Sequence, residues 1–538
     1  MDLHTRFCEE EFDSNGLIRR FALTHKPNYN FAYDVVDVLA HEEGTATALC
    51  WCNPSGAEQS LTFADVSCLS AKAAHVLAEH GVTKGDRVLV VLRRNIEYWF
   101  IAPALHRLGA VMVPATHMLT ADDIAYRIQA ANIRFAICSP EGDTMRYLLA
   151  QSDLERIFTF RKNVRGIVNM SEAMSSAPST FKRVATLATE PMLIYFTSGT
   201  TGYPKGVIHD HTYSLSHIQT AKYWQRVQDG GLHLTVAETG WGKASWGKIY
   251  GQWLCGCAVM IYDFTSFSPA KLLEVMANYH VTSFCAPPTI YRYLARCNMA
   301  NYDLSALRSL TTAGEAMSPE VYYQIKKMTG LEIHEGFGQT ETVLMLANLD
   351  CAHPGSMGRP MPLYDVRIQL EDGSFAMSDE EGEVVVVPHG KQSGIFMGYC
   401  NHDALYSEVW KGGCYHTGDI AWRDKEGLFW YVGRKDDLIK TRGFRVGPFE
   451  VENVLERHSA VLECAVIGEL DAVRGQLVVA FVRLDKDWQA SETLAKEIRN
   501  FCNSRLAAYK HVARVEFVNE LPKTISGKIK RSQLRNKV

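Results

Sequence analysis

The sequence predicts an α/β protein with a large N-terminal body of two α/β layers and a small β unit, closed by a small α+β domain. Strand-like and helix-like stretches alternate over 61–138 and again over 258–329. The helical pattern fades over 355–430, and the character changes once more after residue 437. Strand–helix–strand repetition means parallel strands, because each crossover needs a covering helix to return the chain to the same end of the sheet.

The first helix spans 64–80, with Val66, Leu69, Ala73, Val76 and Leu77 at helical spacing and a stop at Gly81. Residues 87–92 (RVLVVL) read as a buried strand, 97–108 as a helix ending at Gly109, and 110–114 as a strand. A helix over 121–131 and a strand over 135–138 complete the first layer. The second layer has strands at 258–262, 283–286 and 310–315, with helices at 269–279, 289–296 and 319–329. Short strands follow at 366–370, 382–387 and 428–432, separated by turns such as Glu371-Asp372-Gly373. Helices at 448–457 and 491–506 and strands at 464–467 and 477–484 form the last module. Lys435-Asp436-Asp437 is a charged, unpatterned link where few contacts should cross, which divides the chain into 1–434, 435–437 and 438–538. The segment 179–190 is weakly patterned, and no internal repeat is visible.

Bulk properties narrow the function. Apolar residues make up 47% and charged residues 22%, with a net charge of −4, so nothing pulls the chain toward nucleic acid. No run approaches the roughly 18 apolar residues of a membrane span. Residues 1–20 carry acids and no apolar core, so no secretory leader is expected, and the last residues are not a peroxisomal address. The 14 cysteines are scattered, many within apolar runs, which suits a reduced cytoplasmic protein. A monomer or homodimer is expected. His209-Asp210-His211 reads as a strand end rather than a metal site, since no third ligand is suggested nearby.

The chemistry centres on Thr197-Ser198-Gly199-Thr200-Thr201-Gly202-Tyr203-Pro204-Lys205-Gly206, which follows an apolar strand over 192–196. Glycines let backbone N–H groups turn toward a ligand, the hydroxyls add donors, and Lys205 adds charge, so the loop reads as a phosphate cradle. It is not a P-loop, because no Ser or Thr follows Lys205. An ordinary glycine-rich turn has the same composition. Four later segments agree with the cradle: Ala313-Gly314-Glu315, Gly336-Phe337-Gly338-Gln339-Thr340-Glu341, Tyr415-His416-Thr417-Gly418-Asp419 and Ser526-Gly527-Lys528. A flat Phe337 can stack a base while flanking glycines permit close approach. Glu341 beside Thr340 suits Mg²⁺ and a phosphate oxygen.

Taken in order, these five segments resemble the adenylate-forming superfamily, and the stretch 238–246 resembles its medium-chain acyl-CoA synthetase and aryl-CoA ligase branch. The resemblance implies a β-barrel unit in the body, a mobile C-terminal domain, and an ATP- and Mg²⁺-dependent ligase that forms acyl-AMP and then an acyl-CoA. Its partners would be a carboxylic acid, ATP and coenzyme A; a carrier protein as acceptor, or an inactive nucleotide-binding homologue, remain alternatives. It further implies Lys528, Thr340, Glu341 and Lys205 as catalytic residues, with Glu341 also holding the metal. Nucleotide and CoA contacts would come from Thr197, Ser198, Gly199, Thr200, Thr201, Gly202, Gly314, Glu315, Ala316, Glu335, Gly336, Phe337, Asp419, Arg434, Gly443 and Arg445. Trp241, Gly242, Gly314 and Gly338 would line the acid pocket, and Asp436 would be the hinge. Acetate-specific members carry tryptophan where this chain has Gly338, so glycine there is expected to leave room for a medium-chain, branched or aryl acid. Glu238 stands where the branch usually has Asp, which puts any contact with Lys205 or the C-terminal domain in question.

Overall fold

The computed structural model describes residues 3–197, 204–388, 393–441, 444–471, 473–524 and 528–535. Two large sheets form the body. The first has eight strands, in which Arg87–Val91 pairs in parallel with both Val111–Pro114 and Phe135–Cys138, as the apolar runs predict. Pro191–Thr197 joins that parallel set, and Lys205–Asp210 returns antiparallel beside it.

Helix boundaries follow their local signals. Phe63–Glu79 starts at a capping box in which Thr62 and Asp65 satisfy each other's backbone N–H groups. Tyr98–Leu108 stops at Gly109, whose φ of +67° suits a residue without Cβ. All eleven residues of that helix are buried, because it is wedged between the two sheets. Its one guanidinium is paired: Arg107 Nη1 donates to Asp37 at 2.7 Å and Nε to Ser70 at 3.0 Å. The layers also meet through Trp99, which donates to the Lys248 carbonyl at 2.7 Å.

The second sheet is longer than the repeat suggests. Its parallel part runs Thr47–Cys52, Ala258–Tyr262, Leu232–Thr235, Ser283–Cys285, Ser309–Ala313 and Ile333–Gly338. It then continues antiparallel through Leu344–Ala347, Ser356–Pro360, Phe429–Arg434, Cys414–Arg423, Glu381–Val387 and Asp365–Gln369. The small β unit is therefore an extension of the second sheet. Among the described residues its pairings do not close into the expected barrel. Strand Ile333–Gly338 carries Phe337 within the ladder, because the antiparallel partner Leu344–Ala347 pairs with it up to Gly338.

The C-terminal module has five strands and a core of its own, including Val451, Leu455, Val466, Val482 and Ile498. Helix Glu492–Asn503 buries Leu494, Ile498 and Cys502, four residues apart, against it. The link at 435–437 is more tightly held than a bare linker. Lys435 pairs with Glu383 at 2.9 Å, Arg434 with Asp436 at 3.5 Å, and Asp437 receives Arg531 and Arg535. Charge written as flexibility in the sequence is spent on ion pairs. The segment 179–190 is likewise tied down, with Ala188 N–H donating to the Pro27 carbonyl at 2.7 Å and Lys84 to that of Ala185 at 2.8 Å.

Candidate active site

The strands Pro191–Thr197, Ser309–Ala313 and Ile333–Gly338 end on one side of the body, and open parallel sheets bind ligands at such carboxyl ends. Thr197 pairs with Lys205 across the antiparallel hairpin. Ser198, Gly199, Thr200, Thr201 and Gly202 lie outside the described residues. Lys205 Nζ stands 5.6 Å from the Tyr399 ring centroid, and the Tyr399 hydroxyl donates to Glu341 at 2.9 Å. The Thr340 carbonyl accepts from His209 Nε2 at 2.7 Å. Burial lowers the His209 pKa to about 4, so the ring is neutral and its Nε2 carries the proton donated to Thr340. Lys205, Thr340 and Glu341 are thus brought into one corner where the two sheets meet.

Asp419 faces that corner from strand Cys414–Arg423 and is 4% exposed. It accepts from Gln339 Nε2 at 2.6 Å and lies 3.5 Å from Arg434 Nη1. Burial raises its pKa; Arg434, Gln339 and Lys528 oppose the shift. Gln339 also donates to the Thr417 carbonyl at 2.8 Å and accepts from the Tyr415 hydroxyl at 2.7 Å. One amide therefore bolts the strand carrying Asp419 to the turn carrying Thr340 and Glu341.

Phe337 is half-buried, its ring 6.4 Å from that of Tyr431. Gly314 has φ +102° and open space around it, a turn that other residues rarely adopt, and it leads into Glu315 and Ala316. The glycines flanking Phe337 differ from expectation. A Cβ on Gly336 would stand 2.6 Å from Leu344 Cδ1 and 2.7 Å from Trp224 Cε2, so protein fills the space assigned to a nucleotide. A Cβ on Gly338 would overlap the Val343 carbonyl oxygen and stand 2.7 Å from Trp246 Cη2. The room expected beside Gly338 is taken by the Trp246 indole, itself packed edge-on against Trp224 at 6.3 Å. Glu335 also departs from its assignment. Its carboxylate accepts the N–H groups of Met317 at 3.0 Å and Gly355 at 2.6 Å, so the side chain braces two loops. Burial pushes it up to about 8.

On the acid side, Trp241 is half-buried in the turn before the short helix Lys243–Gly247. A Cβ on Gly242 would be 3.6 Å from Thr340 Cγ2, which joins the two predicted regions. Lys243 Nζ donates to the Ala313 carbonyl at 2.6 Å. Glu238 is buried; it accepts Gly240 N–H at 3.1 Å and lies 3.8 Å from His117.

The C-terminal domain reaches the same place. Lys528 lies close enough to hold down the Asp419 carboxyl and to help lower the Lys243 pKa. Arg445 is held elsewhere, on Glu371 at 2.5 Å, and Gly443 lies outside the described residues. Four residues near the site were absent from the sequence-derived set. Gln339 sits inside a motif already quoted, whereas His209, Tyr399 and Tyr431 carried no local signal, because only folding brings them near.

The profile of the AMP-binding enzyme family matches residues 37–400, and that of the AMP-binding enzyme C-terminal domain matches 450–528. This chain is an AMP-binding enzyme. Among relatives of this family, the human "Acyl-coenzyme A synthetase ACSM3, mitochondrial" is 36% identical over 525 residues, covering 95% of this chain and 89% of its own length. The human "Acyl-coenzyme A synthetase ACSM4, mitochondrial" is 37% identical over 524 residues, covering 95% of this chain and 90% of its own length. The anthranilate CoA ligase AuaEII in complex with anthranoyl-AMP superposes with a TM-score of 0.87 at 27% identity, covering 95% of this chain and 98% of that one. A benzoate CoA ligase from Burkholderia xenovorans gives 0.83 at 25% identity, covering 94% and 100%.

Two outcomes follow. Trp246→Leu removes the ring beside Gly338, and preference measured as kcat/KM should move toward longer or bulkier acids by roughly tenfold; an unchanged profile would mean that the ring does not bound the pocket. Glu335 holds its proton to about pH 8 when folded but releases it near its ordinary value when unfolded. The native state thus binds the extra proton between these values, and stability falls as pH rises through that window, by about 1.4 kcal/mol per unit at most. Glu335→Gln should flatten this slope in denaturant titrations from pH 5 to 8.

Proposed function

We propose that this enzyme is an AMP-forming acid–CoA ligase acting on a medium-chain, branched or aryl acid rather than acetate. The observation that carries the reading is the buried Asp419–Arg434 pair of the body, with Lys528 of the C-terminal domain within electrostatic reach of it. In this pose a carboxylate oxygen of the acid attacks the ATP α-phosphorus, an acyl–phosphate bond forms, and pyrophosphate leaves. Two anions meet in that step, and Lys528 and Lys205 supply positive charge where negative charge grows. Asp419 takes the ribose hydroxyls, Arg434 lies near ribose and phosphate, and Phe337 and the Gly314-Glu315-Ala316 loop border adenine. Glu341 and Thr340 offer the oxygen donors a hard cation needs, and Mg²⁺ bound there would neutralise phosphate charge.

The second step needs another pose. CoA thiolate attacks the acyl carbon, the carbon–oxygen bond to AMP breaks, and AMP leaves as its anion. Rotation about Asp436 would withdraw Lys528 and bring Gly443 and Arg445 in. In the described pose Arg445 instead sits on Glu371. Aromatic-acid ligases among the similar structures support a compact acid, and Trp246 beside Gly338 favours branched or aryl acids over extended chains. A reducing compartment, the cytoplasm in this reading, fits 14 free cysteines, although the mammalian relatives are titled mitochondrial.

AMP release from ATP and Mg²⁺ is to be measured across straight, branched and aromatic acids, with and without CoA. CoA-dependent release with one acid class is expected, whereas acid-dependent pyrophosphate exchange without CoA turnover would move the acceptor to a carrier protein. Lys528→Ala should lower exchange roughly 10²–10³-fold while sparing thioester formation from supplied acyl-AMP. Equal loss of both half-reactions would sink the two-pose assignment.

A further inference from the structure

Two arginines of the body, four residues apart, reach across to the C-terminal domain. Arg292 lies in helix Pro288–Leu294, and Arg296 lies in the turn that follows it. Arg292 Nη2 is 3.2 Å from Glu456 Oε2, and Arg296 Nη2 is 3.2 Å from Asp485 Oδ2. Glu456 ends helix Pro448–Leu455, whereas Asp485 follows strand Gly475–Leu484. Asp485 N–H donates to the carbonyl of Ala460, in the segment between Glu456 and strand Val461–Asp471, at 3.0 Å. The helix and the turn that ends it therefore grip two separate parts of the C-terminal domain.

The same helix also touches the nucleotide side. Thr289 Oγ1 donates to Glu315 at 3.4 Å, in the loop after strand Ser309–Ala313. Burial pushes the Glu456 carboxyl up to about 7, and the nearby Glu452, Glu315 and Glu463 push it the same way. Arg292 is the charge that opposes them. Without it, like charges on body and domain would face one another through partly dehydrated space, where they interact more strongly than in bulk water.

We propose that Arg292 and Arg296 are positioning residues for acid adenylation: through Glu456 and Asp485 they hold the C-terminal domain in the pose that presents Lys528, and both pairs separate when the domain turns for thioester formation. This deepens the ligase reading and rests on its two poses. Neither arginine touches the reacting atoms. Their effect reaches the chemistry through Lys528, so the two half-reactions should respond differently.

The test uses the full-length enzyme with Arg292→Glu, Arg296→Gln, and the charge swap Arg292→Glu/Glu456→Arg. Acid-dependent pyrophosphate–ATP exchange reports adenylation, and thioester formation from supplied acyl-AMP and CoA reports the second step. Arg292→Glu should lower exchange roughly 5-fold or more, leave the thioester step equal or faster, and recover most exchange in the swap. Arg296→Gln should act in the same direction and more weakly, since its side chain is the more exposed. A parallel fall in both half-reactions, or a swap that restores nothing, would overturn the proposal. Small-angle scattering reads the pose without chemistry. Arg292→Glu should shift the profile of the nucleotide-free enzyme and the swap should reverse it; superposable profiles for all three proteins would also overturn the proposal. Wild-type enzyme inert toward every acid would instead defeat the ligase reading, with scattering still deciding the latch.

Discussion

The buried Asp419 carboxylate is the constraint on which the rest of the site depends. A carboxylate removed from water is destabilised by several kcal/mol unless donors replace the lost solvent. Its partners here come from distant parts of the chain: Gln339 from the turn after strand Ile333–Gly338, Arg434 from the neighbouring strand, and Lys528 from the C-terminal domain. Each of them favours the charged carboxylate against the burial that opposes it. A single buried acid thus couples the second sheet, its antiparallel extension and the small domain.

That coupling explains why the second sheet does not stop where its parallel part ends. Strand Phe429–Arg434 bridges Ser356–Pro360 to Cys414–Arg423, so Asp419 and Arg434 lie opposite one another in the ladder. Backbone pairing sets their spacing, and Gln339 then ties the ladder to the turn carrying Thr340 and Glu341. The small domain meets this rigid frame mainly through side chains, with Arg292 and Arg296 on one flank and Arg445 on another. A frame built of continuous backbone hydrogen bonds and a domain attached by separable ion pairs suits an enzyme that keeps its nucleotide site fixed while its second domain moves.

Close packing redefines several glycines. Gly336 and Gly338 resemble ligand-contact residues in one dimension, yet Trp224, Leu344 and Trp246 press against them. Gly240 has the same part between the layers, where a Cβ would overlap the Thr116 backbone nitrogen. Gly314 alone of these faces open space, in a backbone conformation that other residues rarely adopt.

Local order was legible in the sequence: the parallel strands, their capped helices, the separate C-terminal module, and the motifs bearing Thr340, Glu341, Asp419 and Lys528. Such features depend on periodicity, capping and short spacings, which near neighbours determine. Tertiary structure decided what fills the space around them. It put Trp246 beside Gly338, turned Glu335 onto two backbone amides, bound His209 to the Thr340 carbonyl, and replaced a loose link at 435–437 with ion pairs. These outcomes depend on packing and desolvation among residues tens to hundreds of positions apart, and no local pattern encodes which side chain will occupy a given volume.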